Sequence, residues 1–191
     1  MERTPLILER LGALVHQAVR EDAARHGLLP IHLQVLQYLA QANRYSDLPI
    51  AIAEYFGLTR GTLSQTLSVL ERKGLLARHP DPGHGRRIHL RLTPAGESVL
   101  AGSWTERMQE ALRDARATAG LDAALTDVLA ALQRINGRRP FGVCRQCAHF
   151  RTQAEESSCG LTGETLDADQ GARICREWSA REQRQRVRAS R

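Results

Sequence analysis

Apolar residues recur every three or four positions through the first 74 residues, in four stretches that predict four amphipathic helices. The predicted helices cover residues 4–26, 30–43, 48–56 and 60–73. Proline or threonine opens the stretches and glycine closes three of them, as is typical of helix ends. The core residues expected in the third helix are Ile50, Ile52 and Ala53. The fourth is capped by Thr59, and its buried stripe consists of Leu63, Leu67 and Leu70.

After Gly74 the hydrophobic period changes from helical to alternating, which predicts two short strands at residues 75–78 and 87–92. The apolar positions of the second strand are Ile88, Leu90 and Leu92. Residues 81–86, between the strands, contain proline and two glycines and predict a turn. Two helices joined by residues 57–59 and followed by a β-hairpin predict a helix-turn-helix with a wing.

Two further helical stripes cover residues 94–119, opened by Thr93 and Pro94, and residues 121–135. The predicted fold is therefore mainly α with a small β wing. The apolar stripes of the first and last helices need a partner surface, because large apolar patches are rarely left exposed. We expect a second copy of the chain to cover them and form a homodimer. The alternative is that these helices fold back on their own domain.

Charge separates the chain into a neutral beginning and a basic middle. Residues 1–50 hold five positive and five negative groups, whereas residues 59–91 hold seven positive and two negative ones. Such a basic segment favours nucleic acid as a partner, with a solvated face as the plainer alternative.

Composition narrows the class of protein further. The apolar fraction of 42% suffices for a core, and no run approaches the ~18 apolar residues of a membrane span. Residues 1–30 contain no apolar leader segment, so we expect a cytoplasmic protein with no membrane partner. The sequence shows no Ser/His/Asp set, phosphate loop or paired buried carboxylates, which disfavours an enzyme.

The open face of the fourth predicted helix carries side chains suited to contacts in a DNA major groove. The expected DNA-binding residues are Thr59, Arg60, Thr62, Ser64, Gln65, Ser68 and Arg72 of the helix, with Arg86 and Arg87 of the wing. Arg60 suits a bidentate contact to guanine and Gln65 one to adenine, whereas Thr62 and Ser64 suit bases or phosphates. Arg86 suits the minor groove, and Arg72 and Arg87 suit phosphates. The alternative for any single residue is an exposed solubilising side chain.

Residues 4–136 resemble the MarR family of transcription regulators, above all over residues 57–96, GLTRGTLSQTLSVLERKGLLARHPDPGHGRRIHLRLTPAG. The resemblance implies a dimeric, triangular winged helix-turn-helix with interleaved terminal helices and wings at the outer corners. It also implies binding of double-stranded DNA at palindromic operators and a response to a ligand or an oxidant. One position departs from the family: His84 stands where an acidic residue is frequent, which puts the usual salt bridge to the wing arginine in question.

The chain has four cysteines, all after residue 143, with the spacing Cys144-x2-Cys147-x11-Cys159-x15-Cys175. Clustered cysteines in a cytoplasmic chain bind metal more often than they form disulfides. Their segment is poor in apolar side chains, so metal–thiolate bonds would supply its order. Structural zinc sites usually have a second Cys-x2-Cys pair, which is missing here, whereas iron–sulfur clusters accept looser spacings. An iron–sulfur cluster is therefore the favoured cofactor, with structural zinc and a metal-free thiol switch as alternatives.

Residues 144–178 also resemble the cysteine frame of high-potential iron–sulfur proteins. They share a Cys-x2-Cys-x2-aromatic start, a lone cysteine followed by a leucine and glycine turn, and a Cys-x2-Trp end, although the middle spacers differ.

The sequence therefore predicts three parts. Residues 1–139 form a DNA-binding and dimerisation domain, residues 140–180 a four-cysteine metal module, and residues 181–191 a tail with five arginines. We expect the module to sense redox state or iron and to act on DNA binding through its direct connection to the last helix. Two alternatives remain: the same regulator with a structural zinc site and a small-molecule effector, and an electron-transfer or interaction module on a dimer scaffold.

Overall fold

The computed structural model describes residues 3–83, 85, 87–114, 120–153 and 156–180. The wing residues His84 and Arg86 and the tail at 181–191 lie outside the described residues. The chain divides into two compact units that alternate along the sequence. One unit contains Met1–Ala40, Ser64–Ala77 and Arg91–Thr118, and the other contains Gln41–Leu63, Arg78–Leu90 and Ala119–Arg191.

Four helices and a hairpin occupy the first half of the chain. The helices are α1 (Arg3–Arg25), α2 (Pro30–Gln41), α3 (Pro49–Phe56) and α4 (Arg60–Arg72), and they confirm the four predicted ones. Strands β1 (Leu76–Pro80) and β2 (Ile88–Leu92) pair in a two-stranded sheet, which confirms the predicted wing.

The first unit has its core on the apolar stripes of α1, α2 and α4. Its side chains that are at most 2% exposed include Val19, Leu33, Leu36, Leu67 and Leu70. A buried carboxylate also links α1 to a later helix, because Asp22 accepts hydrogen bonds from the Trp104 backbone N–H at 2.6 Å and the Arg107 guanidinium at 3.0 Å. Those bonds outweigh the effect of burial and lower the pKa of Asp22.

The single helix predicted over residues 94–119 is wrong, since the chain forms two helices there, α5 (Pro94–Leu100) and α6 (Trp104–Asp114). Between them Gly102 has a φ of 67°, a left-handed conformation that ends helices and suits glycine. The break is hydrogen-bonded, because Arg107 donates to the Gly102 carbonyl at 2.5 Å and Glu106 accepts from the Gly102 N–H at 2.8 Å. Residues 115–119 of the predicted helix lie outside the described residues.

Two expected core positions are also wrong. Ile50 is 45% exposed, whereas its neighbours Ala51 and Ile52 are buried, so the buried face of α3 is rotated from the predicted one. In the wing, Leu90 is buried but Ile88, on the same face of β2 and two residues closer to the tip, is 37% exposed.

The second unit contains α3, the outer wing, helix α7 (Leu121–Ile135) and a C-terminal module of small sheets. In the module, β3 (Gly142–Val143) pairs antiparallel with β7 (Ile174–Cys175). A second sheet has the order β4 (Phe150–Gln153), β5 (Glu156–Cys159), β6 (Thr165–Leu166), and the short helix α8 (Ala168–Ala172) follows it. The pairing sets Gly142 opposite Cys175 and Phe150 opposite Cys159, so the strands carry the distant cysteines into one core.

None of the described helices is both long and apolar enough to cross a membrane.

Candidate nucleic-acid interface and cysteine cluster

The first turn of α4 is held by its cap. Thr59 Oγ1 accepts a hydrogen bond from the Thr62 backbone N–H at 3.2 Å and lies 2.9 Å from the Thr62 hydroxyl. Gly57, which ends α3 at a φ of 67°, allows the chain to turn directly from α3 into this cap. The predicted cap is therefore confirmed, and it presents the first turn of α4 to solvent.

The predicted reading face of α4 is open. Leu63, Leu67 and Leu70 are buried, and the outward positions are all exposed: Thr59, Arg60, Thr62, Ser64, Gln65, Ser68 and Arg72. Arg87 in the wing is exposed as well, whereas Arg86 lies outside the described residues. A helix that buries one apolar stripe and exposes arginine, glutamine and hydroxyl groups at its N-terminal end has the form of a major-groove reader.

A histidine between two carboxylates holds strand β2 of the wing. His89 Nδ1 lies 2.6 Å from Asp47 Oδ1, and His89 Nε2 lies 3.2 Å from Asp81 Oδ2. Burial acts to lower the pKa of His89, but the hydrogen bonds and charges of both carboxylates outweigh it and raise that pKa. No local sequence pattern predicts this contact, because Asp47 is 42 residues away from His89.

All four cysteines lie in one buried cluster. Their side chains form the core of the C-terminal module together with Leu166 and Trp178, and all four thiols are free. The hydrogen bond between the Cys144 and Cys175 thiols, together with burial, raises the pKa of Cys144. The same hydrogen bond outweighs the opposite effect of burial on Cys175 and lowers its pKa to about 7. Distant segments therefore deliver four sulfur atoms to the same place.

Backbone amides also point at the cluster. The N–H groups of His149 and Ser179 donate to Cys147 Sγ at 3.5 Å and 3.4 Å. Amides aimed at sulfur stabilise the thiolate form, which is the form that binds metals. As the side chains stand, the described part of the chain has no group of three His, Cys, Asp or Glu residues that could already hold a metal ion.

The turn between α2 and α3 contacts the cysteine module directly. The Asn43 N–H donates to the Ile174 carbonyl at 3.0 Å, and the Arg176 N–H donates to Ser46 Oγ at 2.8 Å. Asn43 and Ser46 are completely buried. The sequence predicts a direct connection of the module to the last helix, but it does not predict this second contact, because a polar turn carries no periodic signal.

Charged pairs reinforce the same contact. Arg176 binds the Glu54 carboxylate of α3 with both arms of its guanidinium, at 2.6 Å and 2.8 Å. Arg44 donates to the Thr165 carbonyl at 2.9 Å and pairs with Glu164 at 2.7 Å. The module is therefore attached both to the turn before α3 and to α3 itself.

A cavity of about 550 Å³ lies between α3, α7 and the beginning of the module. Its lining includes Tyr55 and Phe141, whose rings meet edge to face with centroids 5.2 Å apart. Gln133 Oε1 and Trp178 Nε1 also belong to lining residues, and neither atom has a hydrogen-bond partner among the described residues. Both atoms are buried, so the surface of the cavity itself is a mixture of aromatic rings and polar side chains such as Glu54 and Arg138.

Comparison with known proteins supports the N-terminal part of this description. Residues 26–87 match the model of the MarR family. No protein of curated function matches the chain. The structure is similar to the DNA complex of MepR from S. aureus, at 20% identity and a TM-score of 0.51, over 68% of this chain and 96% of that one. It is also similar to CouR from Rhodococcus jostii RHA1 bound to p-coumaroyl-CoA, at 24% identity and a TM-score of 0.51, over 70% and 92% of the two chains. These similarities show the winged-helix fold.

Proposed function

We propose that this chain is a DNA-binding transcription regulator of the MarR type and not an enzyme. The family match at residues 26–87 includes α4, whose exposed N-terminal face is the observation that carries the proposal. In the related winged-helix structure of MepR the protein is bound to DNA. The basic segment at residues 59–91 adds long-range attraction to the phosphate backbone.

The regulator acts as a homodimer. Helix α1 leaves Leu6, Ile7, Leu11 and Leu14 between 46% and 67% exposed, and α7 leaves Leu125, Leu129 and Leu132 between 43% and 50% exposed. Apolar stripes of this length on two helices are typical of a subunit interface. A twofold dimer reads a palindromic operator with half-sites about one helical turn apart.

Base reading rests on Arg60 and Gln65, and phosphate contacts on Arg72 and Arg87. Replacing Arg60 or Gln65 with alanine should cost about 1–3 kcal/mol and relax base preference at one position in each half-site. Arg87→Ala should weaken all duplexes alike and flatten the salt dependence. Selection from a random duplex pool, followed by competition assays, tests this, and binding without preference for any sequence refutes the proposal.

The second part of the proposal is that Cys144, Cys147, Cys159 and Cys175 bind one metal centre. Four thiolates cannot share a buried core without a cation, and the clustered sulfur atoms with amides directed at Cys147 supply the ligands. Binding would draw the sulfur atoms into coordination geometry. An iron–sulfur cluster is favoured over zinc, and it would let the regulator sense redox state or iron.

Metal analysis and an absorption spectrum of protein purified without oxygen test this part. A brown protein whose visible absorption is bleached by oxidant supports the cluster, whereas a colourless protein with one zinc per chain selects the structural site. Metal content unchanged by Cys→Ser substitution at each of the four positions refutes a shared centre.

A second input is a small molecule in the 550 Å³ cavity, whose lining combines aromatic rings such as Tyr55 and Phe141 with polar side chains such as Gln133. It would take an apolar or aromatic compound with both a donor and an acceptor. A small-molecule effector is compatible with a zinc ion that has only a structural role at the four cysteines. Ligand-dependent changes in Trp178 fluorescence, absent in a Gln133→Leu variant, test it.

A further inference from the structure

We propose that the turn at residues 42–47 transmits the state of the four-thiolate centre to the wing. Asn43 is its contact with the centre and Asp47 its contact with the wing. The inference rests on the metal binding proposed above and specifies how the centre regulates DNA binding. Each link joins residues of the second compact unit.

The first link is the Asn43 side chain, which is completely buried. Its Oδ1 accepts from Ser46 Oγ at 2.8 Å and from the Tyr45 N–H at 3.1 Å. Its Nδ2 interacts with Cys175, yet it has no hydrogen-bond partner in proper geometry among the described residues. A buried amide without an acceptor is costly, and a metal-bound thiolate is a strong acceptor. Formation of the centre therefore supplies the missing partner of Asn43.

The second link is the backbone around Cys175. Asn43 N–H binds the carbonyl of Ile174 at 3.0 Å, and the N–H of Arg176 binds Ser46 Oγ at 2.8 Å. Both residues next to Cys175 are thus held by the turn, and a movement of the Cys175 sulfur into a metal site displaces the turn with it.

The third link runs from the turn to the wing. The Asp47 N–H donates to the Asn43 carbonyl at 3.1 Å, and the Asp47 carbonyl accepts from Leu90 N–H of β2 at 2.8 Å. The Asp47 carboxylate holds His89 at 2.6 Å, and His89 reaches Asp81 near the wing tip at 3.2 Å. The Asp81 N–H in turn donates to the Arg87 carbonyl at 3.0 Å, which closes the base of the tip.

The wing is a sensitive place to receive this signal. It is a two-stranded hairpin, and its base is held to the turn by Asp47 through both a backbone and a side-chain contact. A shift of about one ångström at a DNA contact is enough to lose hydrogen bonds of normal length. Occupancy of the centre can therefore change DNA affinity without any change in the reading face of α4.

The test compares Asp47→Asn with the wild-type protein, both at full length, in metal-loaded and chelator-stripped forms. Asparagine keeps the size of the side chain and the backbone contacts but removes the charge that holds His89. Asp122→Asn, an exposed aspartate of α7, is the matched control. The readouts are metal content, hydrogen exchange of residues 78–92, and the dissociation constant for the selected duplex.

We expect stripping to change wing exchange and DNA affinity at least fivefold in the wild type and the control. Asp47→Asn should keep its metal, but its metal-loaded and stripped forms should agree within about twofold in wing exchange and in DNA affinity. Asn43→Asp keeps the acceptor and removes the donor, and it should lose metal to a chelator about tenfold faster. If Asp47→Asn folds poorly, His89→Gln serves in its place.

Two results overturn the inference: a wild-type wing that exchanges identically with and without metal, or an Asp47→Asn variant that keeps the full wild-type response. Failure of the proposed function is distinguishable. A wild-type protein that binds no metal refutes the centre itself. A wild-type protein that binds metal but no DNA refutes the proposed regulator function. In that case the hydrogen-exchange data still test whether the centre is coupled to the wing.

Discussion

The bidentate pair between Arg176 and Glu54 is the most direct attachment of the cysteine module to α3, and Glu54→Gln tests its contribution. The substitution keeps the size of the side chain and removes the charge that accepts two hydrogen bonds, at 2.6 Å and 2.8 Å. Hydrogen bonds from Arg176 lower the pKa of Glu54 from its ordinary value of 4.5. The carboxylate is therefore ionised at neutral pH and contributes its full strength there.

The expected loss follows from geometry and exposure. A charge-assisted hydrogen bond contributes about 1.5–3 kcal/mol when buried, and an exposed ion pair about 0.2–1 kcal/mol. The side chains of Arg176 and Glu54 are 19% and 29% exposed, and Arg176 keeps a second partner in Glu177 at 3.2 Å. We therefore expect Glu54→Gln to lower the free energy of unfolding by about 1–2 kcal/mol.

Urea denaturation of the full-length protein, followed by tryptophan fluorescence, measures this loss. The control is Asp169→Asn, which removes the charge of a carboxylate that pairs with Arg173 and is 65% exposed. This substitution should lower the free energy of unfolding by less than about 0.5 kcal/mol. Because the pKa of Glu54 is lowered in the folded state, the difference between wild type and Glu54→Gln is full above pH 4.5 and shrinks as pH falls below it. Equal losses for both variants, or a difference independent of pH, would refute the reasoning.

Three further predictions concern the rest of the chain. Asp22→Asn should lower the free energy of unfolding by about 2–3 kcal/mol at neutral pH, because it weakens the acceptor of the Trp104 N–H. Since the pKa of Asp22 is lowered in the folded state, this contribution is lost as pH falls below 3.8, which thermal melting at a series of pH values can show. Leu132→Glu should give monomers in sedimentation and abolish operator binding, whereas Leu161→Glu, at a similarly exposed leucine, should do neither. Because the pKa of His89 is raised, its contacts should stabilise the wing fully below pH 6.5 and weaken as pH rises through the folded-state pKa. Hydrogen exchange of the wing, corrected for the intrinsic rate, should therefore become faster as pH rises, and exchange that becomes slower would contradict the assignment.

The sequence predicted the elements wherever a local pattern specified them. The cap at Thr59 and the stripe of Leu63, Leu67 and Leu70 defined α4 and left its predicted DNA-binding residues on the outer face, because a helix has one period and one buried face. The break at Gly102 was missed because an isolated glycine inside an apolar stripe is compatible with a continuous helix until its φ is known.

The cysteine cluster was likewise predicted from the sequence, whereas its attachment to the rest of the chain was not. Spacing and residue type alone led to the prediction that the four cysteines act together, because metal binding by a thiol depends on the side chain itself and can be read from the sequence. Only the tertiary structure brought Asn43 against Cys175 and Asp47 against His89, contacts that join residues far apart in the chain. Sequence periodicity reports which side of an element is buried; it carries no information on which polar groups meet inside, because hydrogen-bond partners are selected by the packing of whole elements.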